Sequence, residues 1–283
     1  MKSLIPLVDS VLHPTDFSDA SHRAFAHALA ISLIRQTNLT ILHVGKAFGG
    51  DVNWNEFPQV RKTLERWKLL DSNSRRSAVF DELGVRVSKH VERRLNPIQA
   101  TREFLEDRPH DLVVLATEGS SSRPDWLHSS DAEAIARGSG AMTLFVPSRA
   151  SRGIVSLEDG DLNLKNILVP IDEKINGVKA IEFARRAAEI IGDGDVSITI
   201  FHVGEQMPPI PELAAGSGWT WQTLLSRGEP VESILAAADK LEANLIVMTT
   251  NGRDTLDQAL LGSTTERVIR KANCPLLAVP AGN

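Results

Sequence analysis

Residues 245–280 read LIVMTTNGRDTLDQALLGSTTERVIRKANCPLLAVP. The apolar runs at 245–248 and 276–279 have the length and composition of buried parallel strands. Between them lie a polar turn with Gly252, then Gly262 and Ser263, and a helical pattern. Glycine lets a backbone approach a ligand closely, and the first N–H groups of a helix lack internal partners and attract anions. The stretch therefore predicts a strand, an anion-binding glycine loop, a helix and a second strand.

Length and composition indicate an ordinary globular chain of about two domains. Of 283 residues, 42% are hydrophobic and 24% are charged. A formal charge of -5 and a pI near 5.9 argue against nucleic acid or an anionic membrane surface as the main partner. No apolar run approaches the ~20 residues of a spanning helix, and the first ten residues lack a signal-peptide core. Because the single cysteine, Cys274, also suits a reducing compartment, we expect a cytoplasmic protein.

The N-terminal part of the chain alternates strand and helix patterns. An apolar strand at 11–16 precedes a helix that Ser18 is placed to cap. A second strand follows at 39–44, and residues 57–70 have the spacing of an additional amphipathic helix. The other predicted elements are a strand near 85–91, a helix at 97–106, strands at 112–116 and 141–146, and a linker at 148–163.

The second part of the chain repeats the first. Residues 167–172 (ILVPID) match 11–16 (VLHPTD), and 198–203 (ITIFHV) match 39–44 (LTILHV). Further on, corresponding residues stand 133 positions apart, namely Pro97 and Pro230, Asp111 and Asn244, Gly119 and Gly252, and Ser130 and Ser263. We therefore predict an α/β protein with two domains of one fold, at 1–150 and 164–283. Each domain is expected to be a five-stranded, mostly parallel sheet flanked by helices.

The two halves differ between their second and third strands. His43 and Pro97 are 54 residues apart, whereas His202 and Pro230 are 28 apart, so the additional helix belongs in the first half. The second half has a proline-rich segment and then residues 219–221 (WTW), whose alternation predicts an exposed edge strand. This pair of tryptophans is explained either by an oligomer contact or by packing beneath the proline segment.

A parallel sheet of this kind binds ligands at the carboxyl ends of its strands, where the winding reverses. A reversal between the first and fourth strands would bring Asp172 opposite residues 249–252. A carboxylate accepts hydrogen bonds from an amino group or from ribose hydroxyls, and a helix N-terminus binds phosphate. The predicted ligand is therefore a nucleotide.

With these motifs, the chain resembles a tandem universal stress protein over nearly all of both halves. The resemblance implies Rossmann-like domains, of the adenine nucleotide alpha hydrolase-like kind, that bind ATP or AMP with or without Mg²⁺. It places Thr249 where the family's loop has its first glycine, close to the expected ribose. It assigns one group of residues to the adenine and ribose side (Pro170, Asp172, Val203) and another to the phosphate side (Gly252, Gly262, Ser263, Thr264). Arg253 and Arg267 are placed either to neutralise phosphate or to serve as ordinary surface charges.

The resemblance also implies association. Universal stress domains commonly pair through the last strand, which corresponds here to residues 142–146 and 276–279. The two halves can pair in this way within one chain, and two chains can form a homodimer.

The first half departs further from the family pattern. Ala116 and Ser129 occupy its two outer glycine positions, and three carboxylates surround the loop (Glu118, Asp125, Asp131). Each carboxylate would repel a phosphate by about 1 kcal/mol at the dielectric of a protein surface. We therefore predict that the first half binds nucleotide weakly or not at all.

Structural roles also explain several of these residues. Ser130 with Glu133, and Ser263 with Glu266, have the spacing of helix capping boxes, and Asp172 is placed to cap the next helix. His43 and His202 lie in matching apolar strands, which favours hydrogen-bonded core histidines over a metal ligand or a base. The histidines and the one cysteine have no metal-binding spacing.

Three functions follow from the sequence. The first is a regulatory protein that binds ATP or AMP in its second half. The second is a scaffold of the same fold that has lost nucleotide binding and works through dimerisation. The third is a slow ATP hydrolase. The sequence has no catalytic nucleophile motif and no paired carboxylates at usable spacing, and this counts against the third function.

Overall fold

The computed structural model of the chain describes residues 8–45, 53–117, 129–173, 177–192, 194–214, 216–250 and 263–281. Within these ranges the chain forms ten strands and eight helices. The strands are β1 (Ser10–Thr15), β2 (Asn38–Gly45), β3 (Arg86–Arg93), β4 (Leu112–Thr117), β5 (Met142–Pro147), β6 (Asn166–Pro170), β7 (Val196–Val203), β8 (Trp219–Ser226), β9 (Leu245–Thr250) and β10 (Leu276–Pro280). The helices are α1 (Asp19–Arg35), α2 (Val60–Arg66), α3 (Ala78–Asp81), α4 (Pro97–Asp107), α5 (Ser129–Ser139), α6 (Val178–Ile191), α7 (Pro230–Lys240) and α8 (Ser263–Lys271).

All ten described strands belong to one sheet, in the order β3-β2-β1-β4-β5-β10-β9-β6-β7-β8. Each half of the sheet is parallel, and its winding reverses at the first strand of the half, since β1 lies between β2 and β4 and β6 lies between β7 and β9. Every residue of β4 and β9 is buried, as expected for strands covered by helices on both faces. The predicted fold class is confirmed, and the domain boundaries at 1–150 and 164–283 remain a proposal.

The two halves are joined by their last strands. β10 pairs with β5 in antiparallel register, with Leu276 opposite Phe145 and Ala278 opposite Thr143. The predicted pairing of these strands within one chain is confirmed. The strand edge that each five-stranded half would expose is therefore covered by the other half.

The first turns of the helices follow the capping signals of the sequence. The Ser18 hydroxyl accepts a hydrogen bond from the Ser21 N–H at 3.2 Å, which confirms its predicted role at the start of α1. Pro97 and Pro230 open α4 and α7, where the missing proline N–H would have no helical partner.

Reciprocal ion pairs between α5 and α8 reinforce the joint. The Glu133 carboxylate accepts hydrogen bonds from Nε and Nη2 of Arg270 at 2.9 and 2.7 Å. At the equivalent place, Arg137 donates to Glu266. Both glutamates stand where capping boxes are predicted, but their carboxylates contact arginines of the opposite half. An inter-helix contact of this kind leaves no signal in the local sequence.

The additional helix of the first half is shorter than predicted. Residues 57–70 were expected to be helical, whereas α2 ends at Arg66. Lys68 has a φ of 59°, in the left-handed region, which no α-helix can contain. Just before this residue, the segment packs against the linker, where Trp67 Nε1 donates to the Leu157 carbonyl at 3.3 Å.

The edge strand predicted near the tryptophan pair is confirmed as β8. Trp219 and Trp221 pack against the core on one face of the sheet, together with Ile210 and Leu213 of the proline-rich segment. Trp221 Nε1 donates to the Ala214 carbonyl at 3.0 Å. Packing beneath the proline segment therefore accounts for both tryptophans.

Among the described residues, no helix is long and apolar enough to cross a membrane.

Candidate functional site

A cavity of about 430 Å³ lies at the carboxyl ends of β6, β7 and β9. This is where the winding of the second half reverses, and where parallel sheets bind their ligands. Among the described residues, those that line it come from four places: the end of β6 (Pro170, Ile171, Asp172, Glu173), the end of β7 (Phe201, His202, Val203, Gly204), the end of β9 (Met248, Thr249) and the starts of the neighbouring helices (Gly177, Pro230, Ile234, Ser263, Thr264, Thr265).

Six of the nine predicted site residues lie around this one cavity. They are Pro170, Asp172, Val203, Thr249, Ser263 and Thr264. Residues 172 and 263 are far apart in the chain and meet because β6 and β9 are neighbours in the sheet. The other three, Gly252, Arg253 and Gly262, lie outside the described residues. That any of the nine binds a ligand remains a prediction.

His202 contributes one ring nitrogen to the core and one to the cavity wall. Its Nδ1 lies 2.9 Å from the Ile171 carbonyl, which can only accept, so Nδ1 carries the proton. In the neutral ring Nε2 is then an acceptor. This atom is buried and has no hydrogen-bond partner among the described residues, and its nearest carboxylate oxygen, on Glu173, is 3.9 Å away. The hydrogen-bonded core role predicted for His202 is therefore confirmed at Nδ1.

Gly204 is required by the histidine ring. A Cβ atom at this position would lie 2.4 Å from Nε2 of His202, a distance that real Cβ atoms essentially never show. Gly204 is not among the predicted site residues. The signal that could have identified it is a glycine two residues after a histidine in an apolar strand.

Thr249 supplies a second polar atom that lacks a partner. Its side chain is 7% exposed, and Oγ1 is buried without a hydrogen-bond partner within the described parts of the chain. Leaving a buried hydroxyl unpaired costs about 1–3 kcal/mol. Two such atoms in one cavity wall, His202 Nε2 and Thr249 Oγ1, are unusual for a purely structural surface.

Among the described residues that line the cavity, the charged side chains are acidic. Asp172 and Glu173 lie at the opening on the β6 side. Arg267, one of the two arginines that the sequence offered for phosphate, pairs with the Glu229 carboxylate at 2.8 Å. Glu229 also accepts from the Glu232 N–H, and the pKa of its carboxyl is lowered by this backbone hydrogen bond and by Arg267. Of the two roles left open for Arg267, the structure favours the surface charge.

The first half has aromatic side chains at the corresponding place. Phe17 stands where the second half has Glu173, and its ring stacks on His43 with centroids 4.1 Å apart. Phe57, from the segment before α2, meets both rings edge to face at 5.2 and 6.2 Å and is 1% exposed. Trp54 stacks on Phe57 in turn. His43, the first-half counterpart of the cavity-lining His202, is thus covered by aromatic side chains.

In the first half, the aspartate at the end of the first strand, Asp16, accepts hydrogen bonds within its own turn. Oδ1 of Asp16, the counterpart of Asp172, accepts hydrogen bonds from the backbone N–H and the hydroxyl of Ser18 at 3.0 and 2.6 Å. This carboxylate therefore organises the start of α1.

In the part of the chain that is described, no group of three or more histidine, cysteine, aspartate or glutamate side chains could hold a metal ion.

Comparison with known proteins agrees with this architecture. The sequence profile of the universal stress protein family matches residues 8–147 and 212–280. A curated relative, universal stress protein MJ0531 of Methanocaldococcus jannaschii, is 29% identical over 149 residues, which cover 44% of this chain and 86% of that protein.

Two solved structures resemble the whole chain. A universal stress protein from Archaeoglobus fulgidus superposes with a TM-score of 0.62 at 18% identity, covering 98% of this chain and 100% of the other. A universal stress protein from Pseudomonas aeruginosa has a TM-score of 0.60 at 16% identity, with coverage of 96% and 93%. At these identities the likeness concerns the fold.

Proposed function

Because the chain belongs to the universal stress protein family, we propose that it binds ATP or AMP, with or without Mg²⁺, as a regulatory ligand in the cavity of its second half. The observation that carries this proposal is the cavity itself, which is lined by six of the nine residues that the sequence predicts for the site. Two residues of its wall, His202 and Thr249, also hold a buried polar atom, Nε2 and Oγ1, that has no hydrogen-bond partner among the described residues. The cavity volume, about 430 Å³, lies within the range of small-molecule sites.

The chemistry of the wall suits an adenylate. The Asp172 carboxylate can accept hydrogen bonds from ribose hydroxyls, and Nε2 of His202 can accept from an amino group or a hydroxyl. On the opposite side, α8 begins at Ser263, and the first N–H groups of a helix favour a phosphate. The hydroxyls of Ser263 and Thr264 would add donors there, beside the glycines that the family resemblance assigns to the phosphate.

The contacts of α8 offer a route for regulation. The helix begins at the cavity, while further along Glu266 and Arg270 pair with Arg137 and Glu133 of the other half. A ligand that shifts the first turn of α8 would therefore alter the joint between the halves. Coupling of this kind requires that the ligand bind one arrangement of the helix better than another.

We assign the binding to the second half alone. In the first half, the rings of Phe17 and Phe57 cover the ring of His43, the counterpart of the cavity-lining His202. The carboxylates near its loop add repulsion toward phosphate, as the sequence predicts. We also place the protein in the cytoplasm, where the one thiol, buried on Cys274, would stay reduced.

Titration calorimetry on the full chain tests this proposal. Asp172→Asn removes the charge from the proposed ribose contact and should weaken ATP and AMP binding by about tenfold or more, the value of a charge-assisted hydrogen bond. Asp16→Asn is the matched control, since the asparagine side-chain oxygen can still accept the two hydrogen bonds from Ser18, and it should leave the affinity unchanged. Equal losses in the two variants, or a loss only in Asp16→Asn, would contradict the assignment.

A scaffold without nucleotide is the second candidate. It is favoured by Thr249, whose side chain lines the cavity where the family's loop has a glycine. The mass of any nucleotide released by denaturing the purified protein separates the two. Adenylate in the released fraction supports the sensor, whereas absence of release together with absence of calorimetric binding supports the scaffold.

A further inference from the structure

β8 is one of the two outer strands of the sheet. It pairs in parallel with β7 from Trp219 to Ser226, and in the described parts of the chain no strand pairs with its other side. The outer N–H and C=O groups of such a strand form a template for a further strand. Four of its side chains are exposed, namely Thr220, Gln222, Thr223 and Leu225.

The two edges of the sheet differ sharply in charge. β8 reads WTWQTLLS and carries no charged residue over its eight positions. β3, the equivalent strand at the other end, reads RVSKHVER and carries four charged side chains. Charged residues on an edge strand oppose pairing with another chain because they would have to give up water. Within the described parts of the chain, charged side chains therefore protect the sheet edge at β3 and not at β8.

We propose that two copies of this chain associate through β8, with the two β8 strands antiparallel about a two-fold axis normal to the sheet. The product is a continuous sheet that crosses the dimer. A residue at the axis then faces its own counterpart, and Gln222, near the middle of the strand, is the residue closest to this position.

A second copy fits this edge better than a flexible peptide. The partner strand is already ordered by β7, so it avoids the backbone entropy loss of about 1–2 kcal/mol per residue that an unstructured peptide would suffer. Strand pairing with itself also meets no like charges, because the strand has none. The fold already uses antiparallel edge pairing between its two repeats, where β5 meets β10.

β8 also exposes an apolar side chain. Leu225 is 44% exposed at the carboxyl end of the strand. Antiparallel pairing places it over the partner strand, where it would be covered. The proposed dimer uses the edge of β8 and not the nucleotide cavity, so it is expected with or without nucleotide.

Sedimentation velocity of the full chain across micromolar concentrations tests the proposal. The wild-type chain should sediment as a dimer. Gln222→Lys places two like charges together near the axis and should raise the dissociation constant at least about tenfold. The matched control is Ser88→Lys on β3. Ser88 pairs with Thr40 as Gln222 pairs with Thr199, and both side chains are exposed, so this variant should remain dimeric.

Disulfide cross-linking gives an independent readout. Gln222→Cys should form an interchain disulfide on mild oxidation, while Ser88→Cys should not. Cys274 would not interfere, since burial raises the pKa of its thiol to about 12. A monomeric wild-type chain, a Gln222→Lys variant that stays fully dimeric, or cross-linking at Ser88→Cys in place of Gln222→Cys would each overturn the proposal.

Discussion

Replacing Glu133 by alanine should destabilise the joint between the two halves. The Glu133 side chain is 1% exposed and accepts two hydrogen bonds from Arg270, at 2.9 and 2.7 Å. Nη2 of Arg137 lies 3.8 Å away. The equivalent pair in the other direction joins Arg137 to Glu266, whose side chain is 20% exposed. The two glutamate–arginine contacts therefore differ in burial and in the number of hydrogen bonds, two at Glu133 and one at Glu266.

The expected magnitude follows from this difference. Hydrogen bonds to charged groups contribute about 1.5–3 kcal/mol each, but the Arg270 side chain is 50% exposed and would recover part of this from water. We expect Glu133→Ala to lower the free energy of unfolding by about 2–3 kcal/mol. For Glu266→Ala, whose groups stay partly hydrated, we expect about 1 kcal/mol, near the upper end for exposed ion pairs.

Thermal unfolding measures both values. For a chain of this size, 1 kcal/mol corresponds to a shift of about 2 °C in the midpoint, so Glu133→Ala should lower it by about 4–6 °C and Glu266→Ala by about 2 °C. A double variant with Arg270→Ala should lose little beyond Glu133→Ala, because the two residues act through one contact. Equal shifts for the two glutamates, or a shift below about 1 °C for Glu133→Ala, would refute the reasoning.

Three further predictions concern buried groups. Burial lowers the pKa of His13 and of His27 from 6.5 to about 4. At these two histidines the unfolded chain therefore binds up to two more protons than the folded chain between these pH values. The free energy of unfolding should fall as pH drops from 6.5 to 4, and His27→Gln should reduce the slope. Phe57→Ala should lower the free energy of unfolding in urea by about 3–5 kcal/mol while leaving ATP affinity in the second half unchanged. Thr249→Val removes an unpaired hydroxyl, so calorimetry should show a gain of about 1 kcal/mol in the nucleotide-free protein and weaker ATP binding.

Much of the fold was predictable because the patterns that determine it are local or repeated. The apolar runs of β4 and β9 have the composition of strands that are buried on both faces. The family resemblance, and not the repeat, implied that the two last strands, β5 and β10, would pair. The end of α2 was not predictable. It coincides with a left-handed residue, Lys68, that follows Trp67, and Trp67 contacts the linker some 90 positions further along the chain.

For the candidate site, the sequence predicted which segments meet but not how their atoms are satisfied. Asp172 and Thr249 could be placed opposite each other from strand order alone. That His202 has one nitrogen bonded and the other unpartnered depends on the distance from β7 to the end of β6. The predicted asymmetry between the halves rested on charge, whereas the structure adds Phe57, which reaches His43 from a segment with no counterpart in the repeat.

The stoichiometry of nucleotide binding tests the central claim most directly. In equilibrium dialysis of the full chain against labelled ATP, we predict saturation at one nucleotide per chain, and a lower occupancy in Asp172→Asn than in the wild-type chain at the same subsaturating ATP concentration. Two nucleotides per chain would contradict the assignment to the second half, and no bound nucleotide at millimolar ATP would contradict the nucleotide site itself.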